Sequence, residues 1–164
     1  MLLEDLIKKY SELEKLLMVM PKKIKEKCNV KMFPAKSLIL TKDINVEFVY
    51  IICKGEAKGV NEFGNGNLYV LEKIKPFAFI GELAVLAEEM KASVTIEAVT
   101  DCITVQIPRE EFCKWLEIDN IVSMTVVRGI AKKYYYLHII KEFNIFIQVF
   151  ICCNYFLLDK LEQK

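Results

Sequence analysis

A mainly β domain with flanking helices is the fold class this sequence predicts, and three observations predict it. Between Val30 and Ile107, short runs of β-branched and aromatic residues follow one another at near-regular spacing. Turn residues divide them at Lys54-Gly55-Glu56, Gly64-Asn65-Gly66, Pro76 and Thr100-Asp101. On either side of this region the apolar residues change to helical spacing. Many short strands in succession argue for a sandwich or roll around one core, which 164 residues can bury.

At the N-terminus, Leu2, Leu3, Leu6, Ile7 and then Leu13, Leu16 and Leu17 mark one or two amphipathic helices, with Ser11 and Glu14 spaced for a capping box on the second. Met20-Pro21 breaks the pattern, because a residue before proline is driven out of the α region; a short helix is expected at Lys22 to Lys27. Predicted strands are Val30 to Phe33, Ser37 to Leu40, Phe48 to Cys53, Ala57 to Val60, Asn67 to Ile74, Ser93 to Val99 and Cys102 to Ile107. Phe63-Gly64-Asn65-Gly66-Asn67 reads as a hairpin loop with left-handed positions. Phe79-Ile80 leads as a strand into Gly81, which opens a short helix. Such a turn leaves backbone N–H groups unpaired at a helix start, where they suit an anion such as phosphate.

After Pro108 the pattern is helical: Glu110 and Glu111 suit a first turn, and Phe112, Trp115 and Leu116 form an apolar face. Asp119-Asn120 interrupts, and Ile121 to Glu142 reads as one long helix. Met124, Val127, Ile130, Ala131, Tyr134, Leu137 and His138 make one stripe on it, while Val122, Val126, Tyr136 and Ile140 make another. A helix apolar on two sides needs two partners. Residues 144–158 are the most apolar run, but Gln148 and Asn154 interrupt it and a membrane span needs roughly 20 residues, so a buried helix and no membrane partner are expected. The expected organisation is helices over 1–29, a β-roll with its closing helix over 30–118, the long helix over 119–142 and the apolar helix over 143–164.

A net charge of +1 supplies no basic field for nucleic acid or an anionic membrane. Six cysteines without recurring spacing, and no secretory pattern at Met1-Leu2-Leu3-Glu4-Asp5, lead us to expect reduced thiols and a cytoplasmic protein. The adjacent Cys152 and Cys153 are poorly placed to share one metal, so no metal or cofactor is expected. No Gly-x-Ser-x-Gly, Walker loop or His-Glu-x-x-His occurs, and an enzyme therefore has little support.

The run from Phe79-Ile80-Gly81-Glu82-Leu83 to Lys91-Ala92-Ser93, followed by a strand, closely resembles the phosphate-binding cassette of cyclic-nucleotide-binding domains. Phe33-Pro34-Ala35-Lys36-Ser37, Val49 to Gly55 and Ile103 to Arg109 are similar, in the same order, to the first, central and final strands of the Crp/Fnr family of bacterial transcription regulators. That resemblance runs from Val30 to Lys141. It implies a cyclic-nucleotide-binding-like double-stranded β-helix, or jelly roll, followed by a long dimerisation helix. It also implies a ligand site at Gly81, Glu82, Leu83, Ala84, Lys91, Ala92 and Ser93, with Leu137 and His138 where cyclic-AMP-binding relatives reach the adenine with hydroxyl residues. A homodimer seam through Met124, Val127, Ile130, Ala131, Tyr134 and Leu137 follows from the same likeness. Residues 143–164 look like the first helix of the family's winged helix-turn-helix domain, so DNA is expected as a partner only through a C-terminal domain absent from this chain.

Departures from the family pattern shape the expected ligand. Ala92 stands where the family has an arginine, and an alanine cannot supply its bidentate, charge-assisted grip on phosphate. Lys42 and Phe77 sit at usual turn glycines, and Ala78 replaces a usual aspartate. Glu82 reads either as a ribose ligand or as an acid at a helix start, Ser93 as a phosphate ligand or a strand-start serine, and Lys91 as a point charge or a solvated loop residue. His138, the one histidine, reads as helix packing before it reads as a ligand or base. The expected function is the effector-sensing and dimerisation part of a Crp/Fnr-type regulator, answering a small-molecule effector, anionic and other than cyclic AMP. The alternative is a stand-alone regulatory or protein-interaction module without DNA binding.

Overall fold

The computed structural model describes residues 3–62 and 68–135. Three short helices open the chain: α1 (Leu3–Lys9), α2 (Ser11–Leu17) and α3 (Lys22–Lys25). Of the predicted apolar positions, Leu6, Leu13 and Leu17 are fully buried, while Leu3, Ile7 and Leu16 are partly exposed. The expected capping box on α2 does not form. Tyr10, at φ −125°, is the N-cap, and Ser11 is already helical with its hydroxyl on Glu12 at 3.0 Å. The Tyr10 ring meets Phe77 edge-on at 6.2 Å, so ring packing rather than a cap side chain sets where the chain bends.

Eight strands follow: β1 (Asn29–Phe33), β2 (Leu38–Leu40), β3 (Phe48–Lys54), β4 (Ala57–Glu62), β5 (Leu68–Ile74), β6 (Phe79–Ile80), β7 (Thr95–Ala98) and β8 (Cys102–Pro108). They form two four-stranded antiparallel sheets, in the orders β1-β8-β3-β6 and β2-β7-β4-β5. This is the jelly roll that the family resemblance implies, and it agrees with the sandwich or roll that the strand spacing predicts. Its interior joins Phe33, Tyr50, Ile52 and Ile80 of the first sheet to Ile39, Ile74, Ile96 and Ala98 of the second. The β3 run Val49-Tyr50-Ile51-Ile52-Cys53 is buried on both faces, which is why it is continuously apolar instead of alternating. Helix α5 (Arg109–Ile118) packs against β3 and β8, with Phe112 and Trp115 wholly buried and the Phe112 ring 5.7 Å from that of Phe79. At the β3–β4 turn, Gly55 adopts φ +91° and a Cβ there would lie 2.4 Å from the Asp101 carbonyl oxygen, so this position requires glycine.

Residues 120–129 form the helix α6, begun by Asp119, whose Oδ1 accepts the N–H groups of Ile121 and Val122 at 2.9 and 3.2 Å. Its other oxygen accepts the Trp115 indole N–H at 3.1 Å, so one buried carboxylate joins α5 to α6. The chain falls into two compact units, 1–129 and 130–164, and of the second only 130–135 are described, as helix. The expected hairpin loop at 63–67, Leu137, His138, the end of the long helix and the apolar run of 143–164 with Cys152 and Cys153 lie outside the described residues.

Candidate functional site

The predicted cassette is built where β6 runs into Gly81. The glycine sits at φ +92°, and a side chain there would press to 3.1 Å on the Phe48 carbonyl and on Val46, so the sharp strand-to-helix turn depends on its absence. Helix α4 (Glu82–Leu86) follows at once. Glu82 is buried and already engaged, whereas Leu83 and Leu86 are exposed at 41% and 43%. Ala84 turns inward against Val46 and Ala92.

The second arm of the cassette, residues 87–94, folds back along the loop that precedes β3. The N–H of Ala92 donates to the Ile44 carbonyl at 2.9 Å, the N–H of Asp43 to the Ala92 carbonyl at 2.9 Å, and the N–H of Val46 to the Met90 carbonyl at 2.8 Å. Ala92 is thus buried in a small apolar cluster, while Lys91 and Ser93 on either side are exposed. Gly81, Glu82, Leu83, Ala84, Lys91, Ala92 and Ser93 therefore belong to one structural unit. Leu137 and His138 fall outside the described residues.

Three polar residues beside this unit, Lys42, Asn61 and Thr95, are not among the predicted site residues. The ammonium group of Lys42, half-buried, donates to Asn61 Oδ1 at 2.8 Å, and its backbone N–H donates to Thr95 Oγ1 at 3.1 Å. Asn61 lies on β4 and Thr95 begins β7, two residues past Ser93. Lys42 stands where the family has a turn glycine, but the left-handed residue is the next one, Asp43, at φ +64°. Phe77 does take a left-handed conformation, at φ +66°.

The described residues offer little to covalent chemistry. Burial pushes the Cys28 thiol up to about 11 and the Cys53 thiol up to about 12, and raises Cys102 as well, so these cysteines are packing groups and poor nucleophiles. Among the described residues no cluster of His, Cys, Asp and Glu is placed to hold a metal ion, and no helix is long and apolar enough to cross a membrane. The cassette itself joins a glycine turn, a buried acid and a short helix around the neutral, buried Ala92.

Comparison with known proteins agrees with this geometry. A family model described as the cyclic nucleotide-binding domain matches residues 30–119. The cAMP-activated global transcriptional regulator CRP of Salmonella typhimurium is 24% identical over 106 residues, 65% of this chain and 50% of that protein. The CRP of Escherichia coli O157:H7 matches to the same extent, so the chain spans half the length of these curated relatives. Among solved structures, the catabolite activator protein of Thermus thermophilus superposes with a TM-score of 0.63 at 16% identity, over 80% of this chain and 63% of that one. A regulatory subunit of a cAMP-independent protein kinase A from Trypanosoma brucei gives 0.61 at 18% identity, over 76% and 46%. At such identities the two structures share the fold, and the family match covers more than half of the chain: it belongs to the cyclic nucleotide-binding domain family.

Proposed function

We propose that this chain is the effector-sensing and dimerising part of a Crp/Fnr-type transcription regulator, answering a small anion other than cyclic AMP. The observation that carries the reading is the pairing of a preserved Gly81 turn with a buried Ala92 at the position of the family's arginine. The turn keeps its backbone donors near the helix start, and the charge that would complete a cyclic-phosphate site is missing. The relatives named above as transcriptional regulators support the regulatory role. DNA would be contacted through a further domain, and the protein would work in the cytoplasm.

Homodimerisation through the long helix is part of the same proposal. Val122 and Val126 are buried, whereas Ile121, Met124 and Val127 on the other face of α6 are about half or more exposed, which is the division a helix with two partners should show. The seam expected from the sequence also includes Ile130, Ala131, Tyr134 and Leu137. A second reading, a stand-alone regulatory module without DNA binding, draws support from the kinase regulatory subunit that shares the fold. A thermal-shift screen of anionic metabolites tests the first reading. A ligand raising the melting temperature, and losing its effect in Gly81→Val, supports the cassette as the sensor; a ligand indifferent to Gly81→Val argues against it.

A further inference from the structure

A cleft of about 330 Å³ opens between the first sheet and β2 with the loop that follows it, and none of the cassette residues 81–93 lines it. One wall is the inner face of the first sheet, carrying Lys31 of β1, Gln106 of β8, and Phe48 and Tyr50 of β3. The other is Ile39 and Leu40 of β2 with the loop beyond them, including Ile44. The register places Tyr50 directly opposite Gln106, and Lys31 opposite Thr104 two residues along the same strand, which gathers three polar side chains on one face. Tyr50 is only 8% exposed; its ring stands edge-on to Phe33 at 5.5 Å and tilted to Phe48 at 6.5 Å. Burial raises the Tyr50 phenol above its ordinary range, and the Gln106 side chain hydrogen-bonds it. It is therefore a neutral donor at neutral pH.

We propose that this cleft binds a small aromatic monocarboxylate, its carboxylate held by Lys31, Gln106 and Tyr50 and its ring resting on Phe48, Ile39 and Leu40. The volume lies at the lower end of small-molecule sites, and an apolar floor with a few convergent donors is their usual construction. Lys31 is the one cation among the lining residues, while Glu47, the one acid, opposes any anion, so a second negative charge on a ligand finds no partner. Phosphate esters with two charges are disfavoured for that reason.

The walls of the cleft are also joined to the cassette. Ile44 gives its carbonyl to the Ala92 N–H, Asn45 pairs with Lys91, and Leu40 Cδ1 lies 3.5 Å from where a Gly81 Cβ would stand. A ligand that immobilises Leu40 and Ile44 therefore stiffens the segment on which the cassette is hung. This coupling rests on the reading of the cassette as a sensor; binding in the cleft does not.

Titration of the ¹⁵N-labelled full chain with benzoate and with phenylacetate, to about 10 mM, tests the proposal. Saturable shifts centred on Tyr50, Gln106 and Ile44 are expected, with affinity lowered about tenfold in Lys31→Met and in Tyr50→Phe and unchanged in Lys15→Met, at an exposed position of α2. Lys31 is exposed, so its variant keeps the test sound even where the Tyr50 variant is less stable. The absence of saturable shifts overturns the proposal, as do unchanged affinities in both cleft variants. Shifts centred on residues 81–86 and 91–93 would overturn it too, and would place the carboxylate on the cassette instead.

Discussion

The backbone of Ala92 is hydrogen-bonded on both sides to the Asp43–Ile44 segment, and its side chain is enclosed by Val46 and Ala84. The position that the family gives to an arginine is thereby part of a small core. Ala92→Arg has to carry a long charged side chain past that cluster to reach solvent. Overpacking of this kind costs about 1–3 kcal/mol. A thermal melt of the variant should show a lowered midpoint; a midpoint equal to the parent would mean that the cluster yields freely.

Lys27 and Glu111, 84 positions apart, tie the N-terminal segment to α5 at 2.6 Å, and Lys114 joins the same carboxylate oxygen at 2.9 Å. Hydrogen bonds from Lys27 and then Lys114 hold the Glu111 carboxyl below its ordinary value. A carboxylate whose pKa is lower folded than unfolded stabilises the fold above its unfolded value, and that contribution fades as pH falls through the folded one. Glu111→Gln should therefore melt earlier than the parent at neutral pH, with the gap closing below about pH 4. Melting curves across that range decide it, and a gap that does not narrow in acid contradicts the assignment.

Asp119 accepts from the Trp115 indole and from two α6 backbone amides while only 5% exposed. Asp119→Ala removes a helix cap, worth about 0.5–2 kcal/mol, and leaves a buried indole N–H unsatisfied, a further cost of about 1–3 kcal/mol. Urea unfolding followed by fluorescence of Trp115, the one tryptophan, should show a loss of about 2–4 kcal/mol, with Asp119→Asn recovering part of it. Equal stability of Asp119→Ala and the parent would show that the joint is not held by this carboxylate.

Val127 lies on the exposed stripe of α6, so Val127→Glu should leave the roll intact and abolish the proposed dimer. Sedimentation velocity is expected to give a dimer for the parent and a monomer for the variant. A parent that sediments as a monomer, or a variant that stays dimeric, places the seam elsewhere.

Specific DNA binding is not expected of these residues alone, because a net charge of +1 gives no overall basic field to attract the DNA backbone. Gel-shift titration against random-sequence competitor checks this. Selective retention of one operator would contradict it.

Most of the roll was legible in the chain because each strand carries its own period and its own turn residues. The double-sided burial of β3 could be read from its unbroken apolar run, and the Gly81 turn from the glycine between a strand and a helix. Other features depend on tertiary contacts. Tyr10 displaced Ser11 as the cap of α2 because its ring found Phe77, a residue far along the chain. Lys42 looked like a misplaced turn residue, and only the fold shows it reaching Asn61 from the strand-end loop. Lys31, Tyr50 and Gln106 stand on three strands and become neighbours through sheet register, which leaves no mark in local sequence.

Calorimetric titration with cyclic AMP measures directly what Ala92 does to the cassette. A site without the guanidinium forgoes a pair of charge-assisted hydrogen bonds, about 1.5–3 kcal/mol each, where each 1.4 kcal/mol is about tenfold in affinity. The parent chain is therefore predicted to bind cyclic AMP at about millimolar strength or weaker. Ala92→Arg, despite its lower stability, is predicted to gain affinity. A micromolar dissociation constant for the parent would contradict the account.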